Sequence, residues 1–219
     1  MNQIHVGILL FDDVDALDFA GPYEVFNLST HCLEDVQKLF TNRLEEKDKP
    51  FRVNTVSEKG SMITVHNGLK VQPDYSFENA PEFDLIVVPG GPASAITSVM
   101  SNRSIIEWIA SYGAKDKHVI SVCTGALFLA EAGLLNGQRA TTNRAAITMM
   151  QATYPSVTVV EDVKFVDEGR VVTAAGVSAG INMALHVVGK MFDEGMAKRT
   201  AETIEFSTET TSAHNASLK

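Results

Sequence analysis

Cysteine is scarce in this 219-residue sequence, which has only Cys32 and Cys123. Two cysteines exclude a disulfide-stapled scaffold, and they favour a reducing, cytoplasmic environment. Long hydrophobic runs are also missing: although 45% of the residues are apolar, no run approaches the ~20 residues that cross a bilayer. The first residues lack the basic flank and the small-residue cleavage site of a signal peptide. We expect neither a membrane span nor a secretory leader.

Positive charge is in short supply as well, with 18 Lys and Arg against 27 Asp and Glu and a net charge of −9. This balance disfavours binding to a nucleic-acid backbone or to an anionic membrane surface. The His, Cys, Asp and Glu residues show no metal-ligand spacing, so we predict no metal, and no motif indicates a cofactor. A small molecule is the class of partner that remains.

Strand-like and helix-like segments alternate along the chain. Buried-strand runs occupy residues 4–11, 84–88 and 118–122, and residues 105–112 keep the apolar spacing of an amphipathic helix. Pro22 is predicted to begin the first helix, because proline is favoured at the first helical position. This alternation predicts an α/β fold, a three-layer sandwich with a mainly parallel sheet and helices on both faces.

No repeat or low-complexity linker divides the chain. We therefore predict a single domain over residues 1–206 and a flexible tail over residues 207–219, which are rich in Ser, Thr and Asn. Within the domain, residues 62–72 predict a hairpin with an Asn-Gly turn. Ligands of parallel α/β sheets bind beyond the carboxyl ends of the strands, so the site is expected in the loops that follow them.

Cys123 stands between a predicted buried strand and a predicted helix, with almost no loop. The stretch Ser121-Val122-Cys123-Thr124-Gly125 has the spacing of the hydrolase nucleophile elbow G-x-S-x-G, with sulfur in place of oxygen. The N-terminus of the helix favours the thiolate, which is the form that reacts. A free cysteine is most often a small buried hydrophobe, but the elbow favours a nucleophile, and we predict that Cys123 is catalytic.

Asp18 is the candidate acid that would manage protons for this sulfur. It lies between two apolar residues in an acidic loop, and partial burial would raise its pKa into the range that suits proton exchange with a thiol. The alternative is that Asp18 only caps the following helix or hydrogen-bonds loop amides. Asp12, Asp13 and Asp15 are interpreted as solvated loop charges, and Glu24 is a weaker alternative acid.

A Pro-Gly-Gly-Pro turn follows the predicted strand 84–88, and its glycines would let backbone N–H groups approach a ligand closely. We predict that Gly90 and Gly91 border the site, with the amides of Gly91 and Thr124 as an oxyanion hole. The alternative is a tight turn without a catalytic role. Gly176 precedes a later helix and is predicted to wall the pocket, unless that segment only caps its helix.

Together these motifs resemble the ThiJ/PfpI superfamily, in the branch that contains isonitrile hydratase and the N-terminal domains of AraC-type regulators. The matching stretches cover most of residues 4–190: LLFDDVDALDFAGPYEVF, DLIVVPGG, ISVCTGALFLAEAGLLNGQRATT and VVTAAGVSAGINMAL. The resemblance implies a flavodoxin-like (class I glutamine amidotransferase-like) sandwich that assembles as a homodimer. It also implies that Cys123 is the nucleophile, Asp18 the essential acid, Thr124 its hydrogen-bonding neighbour and Gly91 an amide donor.

The chain departs from this family pattern after the elbow helix. Many relatives read A-T-T-H-W there, whereas this chain has Asn143 and Arg144 in the last two positions. Asn143 occupies the place that could supply a histidine beside the cysteine, which weakens a protease or amidase interpretation. We predict that Asn143, like Gly90, Gly91 and Gly176, is an oxyanion or substrate-binding residue. Arg144 replaces a large aromatic residue where the pocket could be lined. The insertion at residues 30–49 is a second departure.

The predicted function is that of a cofactor-independent cysteine enzyme similar to isonitrile hydratase. Cys123 would attack the terminal carbon of an isonitrile, Asp18 would deliver a proton, and water would release an N-substituted formamide from the thioimidate. Three alternatives stay open. They are a glyoxalase-like or deglycase-like activity on reactive carbonyls, an amidase-like or protease-like hydrolase, and a non-catalytic redox or stress sensor.

Overall fold

The computed structural model describes residues 3–207 of the chain. Residues 208–219, nearly all of the predicted flexible tail at 207–219, lie outside the described residues. Within residues 3–207, no helix is both long enough and apolar enough to cross a membrane. The predicted domain limits and the predicted homodimer stay predictions.

The strands of the described chain are, in order, β1 (Ile4–Leu9), β2 (Phe51–Ser57), β3 (Ile63–Thr64), β4 (Lys70–Val71), β5 (Tyr75–Ser76), β6 (Leu85–Val88), β7 (His118–Ser121), β8 (Arg139–Ala140), β9 (Thr158–Val159), β10 (Phe165–Asp167) and β11 (Val171–Ala174). The helices are α1 (Ala16–Leu28), α2 (Leu33–Phe40), α3 (Ala93–Met100), α4 (Arg103–Ala114), α5 (Gly125–Glu131), α6 (Ile147–Thr153), α7 (Ala179–Met191) and α8 (Glu194–Thr203). Two short 3-10 turns lie at Glu46–Asp48 and Arg144–Ala146.

Seven of these strands form a central sheet in the order β10-β11-β7-β6-β1-β2-β5. All neighbours in it are parallel except β10 and β11. The strand β6 is buried along its whole length, as expected for a sheet covered on both faces. Helix α1 packs on α7 and α8, while α3, α4 and α5 pack on one another. The predicted α/β sandwich with a mainly parallel sheet is confirmed.

The strand order changes direction at β1, which has β2 on one side and β6 on the other. In register, Ile8 of β1 pairs with Thr55 on one side and with Val87 on the other. Such a switch point opens a crevice at the carboxyl ends of the strands, where ligands of open α/β sheets bind. The segments that follow β1, β6 and β7 meet there, and they carry the acidic loop, the Gly-Gly turn and Cys123.

The first helix starts earlier than the sequence predicts. Pro22 does not begin α1 but lies inside it, and the helix begins at Ala16. The missing proline N–H leaves the Asp18 carbonyl without its helical donor. The correction matters for the site, because it moves Asp18 from a loop into the first turn of a helix.

The predicted hairpin at residues 62–72 is confirmed. Strands β3 and β4 pair antiparallel, with Ile63 opposite Val71. The turn residues Asn67 and Gly68 both have positive φ, 72° and 97°, which is the conformation that Asn-Gly turns favour. The backbone N–H of Asp13 donates to the Thr64 carbonyl at 2.8 Å, so the hairpin braces the acidic loop.

Gly125 lets the elbow helix sit directly against the strand β6. A Cβ at this position would collide with the carbonyl oxygens of Val88 and Pro89, and neither backbone oxygen can move without displacing the Gly-Gly turn. The close approach places the start of α5 beside that turn.

We expect Gly125→Ala to lower the free energy of unfolding by about 2 kcal/mol, because it overpacks a rigid backbone contact. Gly189→Ala is the matched control. A Cβ there would meet Ala197 Cβ and the flexible Glu194 side chain at 3.3 Å or more, and helix propensity favours alanine. Urea denaturation of both variants checks this. Equal stability of the two would contradict the proposed close approach.

Candidate active site

Cys123 adopts a left-handed backbone conformation between β7 and α5, with φ of 58°. Non-glycine residues rarely adopt this conformation, and it persists where surrounding contacts hold it. The Cys123 N–H donates to the carbonyls of Ala174 at 3.2 Å and Ala175 at 2.9 Å. Thr142 Oγ1 donates to the Cys123 carbonyl at 2.8 Å. The geometry is that of a nucleophile elbow, fixed by the end of β11 and by the segment after β8.

The sulfur is nearly closed off from solvent and surrounded by hydrogen-bond donors. Cys123 is 3% exposed. Asn143 Nδ2 donates to Sγ at 3.2 Å, and the backbone N–H groups of Val177 and Thr124 also act on the sulfur. Val177 has φ of 33°, a strained value for a β-branched residue. All three donors favour the thiolate.

Asp18 lies fully buried beside this sulfur. Its Oδ2 accepts the Gly90 N–H at 3.0 Å, while Oδ1 has no hydrogen-bond partner within the described residues. Asp18 does not cap α1, but it does hydrogen-bond a loop amide, as the second half of the alternative interpretation expected. Burial, together with the nearby Asp15 charge, raises the pKa of Asp18 to about 7. The raised pKa agrees with the prediction from the sequence.

The amide at the start of α5 favours the thiolate, as the sequence predicts, but it does not make Cys123 a thiolate at neutral pH. Burial raises the pKa of the Cys123 thiol to about 11, the Asp18 charge adds to the rise, and the three donors only partly offset it. The α5 helix has only seven residues. Because the two groups titrate together, the thiolate is accessible chiefly while Asp18 holds the proton of the pair.

Thr124 connects the elbow to the Gly-Gly turn through two hydrogen bonds of its hydroxyl group. Its Oγ1 accepts the Gly91 N–H at 2.9 Å and donates to the Gly91 carbonyl at 2.9 Å. The Gly91 amide, which the sequence predicts as half of an oxyanion hole, is thus bonded inside the fold, and the Gly90 amide is bonded to Asp18. Of the predicted amide donors, only Thr124 N–H acts on the sulfur.

A cavity of about 560 Å³ lies beside Asn143 and Gly176. A Cβ on Gly176 would lie 3.0 Å from Asn143 Nδ2, so the glycine leaves room for the amide that reaches Cys123. Arg144 also lines the cavity and is exposed to solvent. Asn143, Arg144 and Gly176 thus line one cavity, which Cys123 and Asp18 do not line; Asn143 links it to the elbow through its hydrogen bond to the sulfur.

Asp15, which the sequence predicts to be a solvated loop charge, is half-buried and lies at the site. Asp15, Asp18 and Cys123 each offer one atom, and these atoms lie within 4.8 Å of one another. Asp15 and Asp18 are three residues apart at the start of a helix, a spacing that brings two side chains together on one turn. This spacing could have identified Asp15 from the sequence. Three such groups could hold a metal ion, but nothing else in the described chain points to one. The absence of a metal stays a prediction.

Asn143→Asp should raise the pKa of Cys123 further and slow its alkylation about tenfold at pH 8, because a carboxylate replaces the donor at 3.2 Å. The side-chain oxygen that accepts the Ala145 N–H is kept, so stability should change little. Iodoacetamide labelling followed by mass spectrometry measures the rate, in a Cys32→Ala background because Cys32 is exposed. An unchanged rate would show that Asn143 does not stabilise the thiolate.

Asp18→Asn should change how stability depends on pH. The pKa of Asp18 is about 7 in the folded state, so between about pH 4 and pH 7 the folded chain keeps a proton that the unfolded chain loses. The wild type therefore loses stability as pH rises through this window, by up to a few kcal/mol, and Asp18→Asn does not. Urea denaturation at several pH values measures the difference. Parallel pH curves for the two proteins would contradict the raised pKa.

Comparisons with known proteins agree with this geometry. Residues 4–190 match the model of the DJ-1/PfpI family. The chain is 32% identical over 203 residues to isonitrile hydratase from Pseudomonas putida, covering 93% of this chain and 78% of that protein. It is 27% identical over 189 residues to the HTH-type transcriptional regulator GbdR from Pseudomonas aeruginosa (strain UCBPP-PA14), covering 86% of this chain and 47% of the regulator.

A deglycase from Pyrococcus abyssi is 36% identical over 120 residues, covering 53% of this chain and 70% of the deglycase. Among solved structures, a ThiJ/PfpI family protein from Pseudomonas syringae has a TM-score of 0.79 at 22% identity, covering 96% of this chain and 78% of that one. This last likeness concerns the fold. The match to the family model and the identity to the hydratase, together with the Cys123 elbow, establish that the chain belongs to the DJ-1/PfpI family.

Proposed function

We propose that the protein is a cysteine-dependent enzyme that adds water to the terminal carbon of an isonitrile and releases an N-substituted formamide. The observation that carries the proposal is the pairing of Cys123 with the buried carboxyl of Asp18, whose pKa is raised to about 7. This pair offers a nucleophile and a proton at one point. The 32% identity to isonitrile hydratase supports the same assignment.

The accessibility of the sulfur favours a slender substrate. At 3% exposure, Cys123 is reached only by the narrow end of a molecule, and the isonitrile group R–N≡C is linear and ends in its reactive carbon. The remainder of the substrate would occupy the cavity of about 560 Å³ beside Asn143 and Gly176. A peptide or a branched amide would have to bring a wider group to the same sulfur.

The first step forms a carbon–sulfur bond and transfers one proton. The Cys123 thiolate attacks the terminal carbon, and the Asp18 carboxyl delivers its proton to that carbon, giving the thioimidate R–N=CH–S–Cys. Asn143 Nδ2 and the N–H groups at the sulfur stabilise the thiolate before attack. Asp18 is left as a carboxylate.

The second step uses water. The Asp18 carboxylate takes one proton from water as the water oxygen adds to the thioimidate carbon. The carbon–sulfur bond then breaks, the second water proton passes from the new hydroxyl to nitrogen, and R–NH–CHO leaves. The sulfur and Asp18 return to their starting state with one proton between them. The sum is R–NC plus water giving the formamide, and no external cofactor takes part.

Incubation of the reduced protein with an alkyl isonitrile should give the matching formamide, detected by chromatography and mass spectrometry. Cys123→Ala should abolish turnover, since it removes the nucleophile, and Asp18→Asn should lower kcat at least about 100-fold, since it removes the acid and base. Cys32→Ala is the control, because Cys32 is exposed and its Sγ donates to the Asp35 carboxylate at 3.3 Å. Turnover that survives Cys123→Ala would refute the mechanism.

A wild type that turns over no isonitrile, yet consumes a small glyoxal in a Cys123-dependent reaction, would move the assignment to reactive carbonyls. The 36% identity to a deglycase over 120 residues supports that second candidate. Turnover of neither substrate class, with Cys123 still open to alkylation, would favour a non-catalytic sensor, in line with the regulator among the relatives.

A further inference from the structure

The cavity beside the elbow carries two positively charged side chains that have no partner. Its volume is about 560 Å³, and Arg144 and Lys164 both line it. Within residues 3–207, neither the guanidinium of Arg144 nor the ammonium of Lys164 forms a hydrogen bond or an ion pair. Arg139 shows the contrast, since its Nε contacts Glu168 Oε1 at 2.6 Å. The cavity therefore offers two unpaired cations to a ligand.

Arg144 is connected to the nucleophile through the residue before it. Asn143 Nδ2 donates to Cys123 Sγ at 3.2 Å, while Asn143 Oδ1 accepts the Ala145 N–H at 2.9 Å. The Asn143 carbonyl accepts the Ala146 N–H at 2.8 Å, which closes the 3-10 turn that begins at Arg144. The turn that places a donor on the sulfur therefore also places Arg144 in the adjacent cavity.

Lys164 is connected to the nucleophile through a different part of the chain. It precedes β10, and Ala175 follows β11. The Ala175 N–H donates to the Lys164 carbonyl at 2.9 Å, and the Ala175 carbonyl accepts the Cys123 N–H at 2.9 Å. The two cations thus come from two separate segments, and each lies next to a residue that bonds Cys123.

Two acids, Glu161 and Asp162, also line the cavity, but they do not neutralise the cations by contact. Glu161 Oε1 accepts Gln151 Nε2 at 3.2 Å, and in the described chain neither acid forms an ion pair with Arg144 or Lys164. Nor does any hydrogen bond of the described residues connect either acid to a residue that contacts the nucleophile. Among the charged residues of the cavity, the cations are therefore the ones attached to the surroundings of the sulfur.

We propose that this cavity binds a carboxylate on the substituent of the substrate, and that Arg144 and Lys164 determine this specificity. A guanidinium holds a carboxylate through two parallel N–H···O bonds, and an ammonium adds a point charge. Such a ligand needs local cations, because the chain has a net charge of −9 and repels anions at a distance. Resting on the proposed function, the inference makes the substrate an isonitrile whose nitrogen substituent carries a carboxylate.

The test measures binding without turnover. N-formyl-β-alanine and N-formyl-γ-aminobutyrate are hydration products of such isonitriles, and each has a neutral counterpart in its primary amide. A ligand that occupies the cavity with its formyl group at the sulfur should slow the alkylation of Cys123 by iodoacetamide. Mass spectrometry follows the rate against ligand concentration in a Cys32→Ala background. Low ionic strength is used, because salt screens exposed charges.

In the wild type, the carboxylates should protect Cys123 at roughly tenfold lower concentration than their amides. Arg144→Gln should remove most of this preference, and Arg144→Gln combined with Lys164→Gln should remove all of it. Arg144→Lys should keep only part, because lysine does not bind a carboxylate through a planar fork. Arg139→Gln is the matched control: it removes the same charge, but Arg139 pairs with Glu168 and does not line the cavity. Its preference should equal that of the wild type.

Equal protection by carboxylate and amide in the wild type overturns the proposal. A preference that survives in the double variant also overturns it, and so does the absence of protection by every one of these ligands. Isonitrile turnover separates this inference from the proposed function. Turnover without a preference for carboxylates leaves the proposed function standing alone, whereas the expected protection without any isonitrile turnover refutes that function and leaves the carboxylate site.

Discussion

The left-handed backbone of Cys123, with φ of 58°, is the constraint on which the arrangement of the site depends. Such a conformation costs on the order of 1–3 kcal/mol and survives where packing over-determines it. The Cys123 N–H is held by the carbonyls after β11, and its carbonyl is held by Thr142. Gly125 lets the following helix approach the Gly-Gly turn. The direction of the sulfur is therefore set by segments that lie far apart in the chain.

The Cys123 sulfur lies beside the buried carboxyl of Asp18, and burial has the largest effect on the pKa values of both groups. Three hydrogen-bond donors favour the thiolate, yet the pKa of Cys123 rises to about 11 because desolvation and the Asp18 charge together outweigh them. The same burial raises the pKa of Asp18 to about 7. Neither group is reactive alone at neutral pH in the way a surface thiolate or carboxylate is. Reactivity belongs to the pair and to the placement of its one proton.

The sequence predicts the central sheet and the raised pKa of Asp18, but it does not predict the raised pKa of Cys123. The buried-strand runs predicted at residues 84–88 and 118–122 match β6 and β7 to within one residue, and the elbow spacing places Cys123 correctly, because both depend on local patterns. Helix α3 goes unpredicted, since its eight residues make only about two turns. The raised pKa of Cys123 depends on Asp18, which lies 105 residues earlier in the chain. A local pattern such as a helix N-terminus carries no information on such a contact.

The amide at position 143 narrows the chemistry that the pair can perform. Asn143 donates to the sulfur but accepts no proton from it. The proton acceptors beside Cys123 within the described residues are the carboxyl groups of Asp18 and Asp15, of which Asp18 is the buried one. In amide hydrolysis, the active site must deprotonate the nucleophile and then protonate the departing amine. In cysteine hydrolases a histidine performs both proton transfers. Isonitrile hydration has no departing amine, because the group that leaves the thioimidate carbon is the enzyme's own sulfur. One carboxyl with a pKa near neutrality is sufficient for that cycle, which is why the exchange of histidine for asparagine is compatible with the proposed reaction.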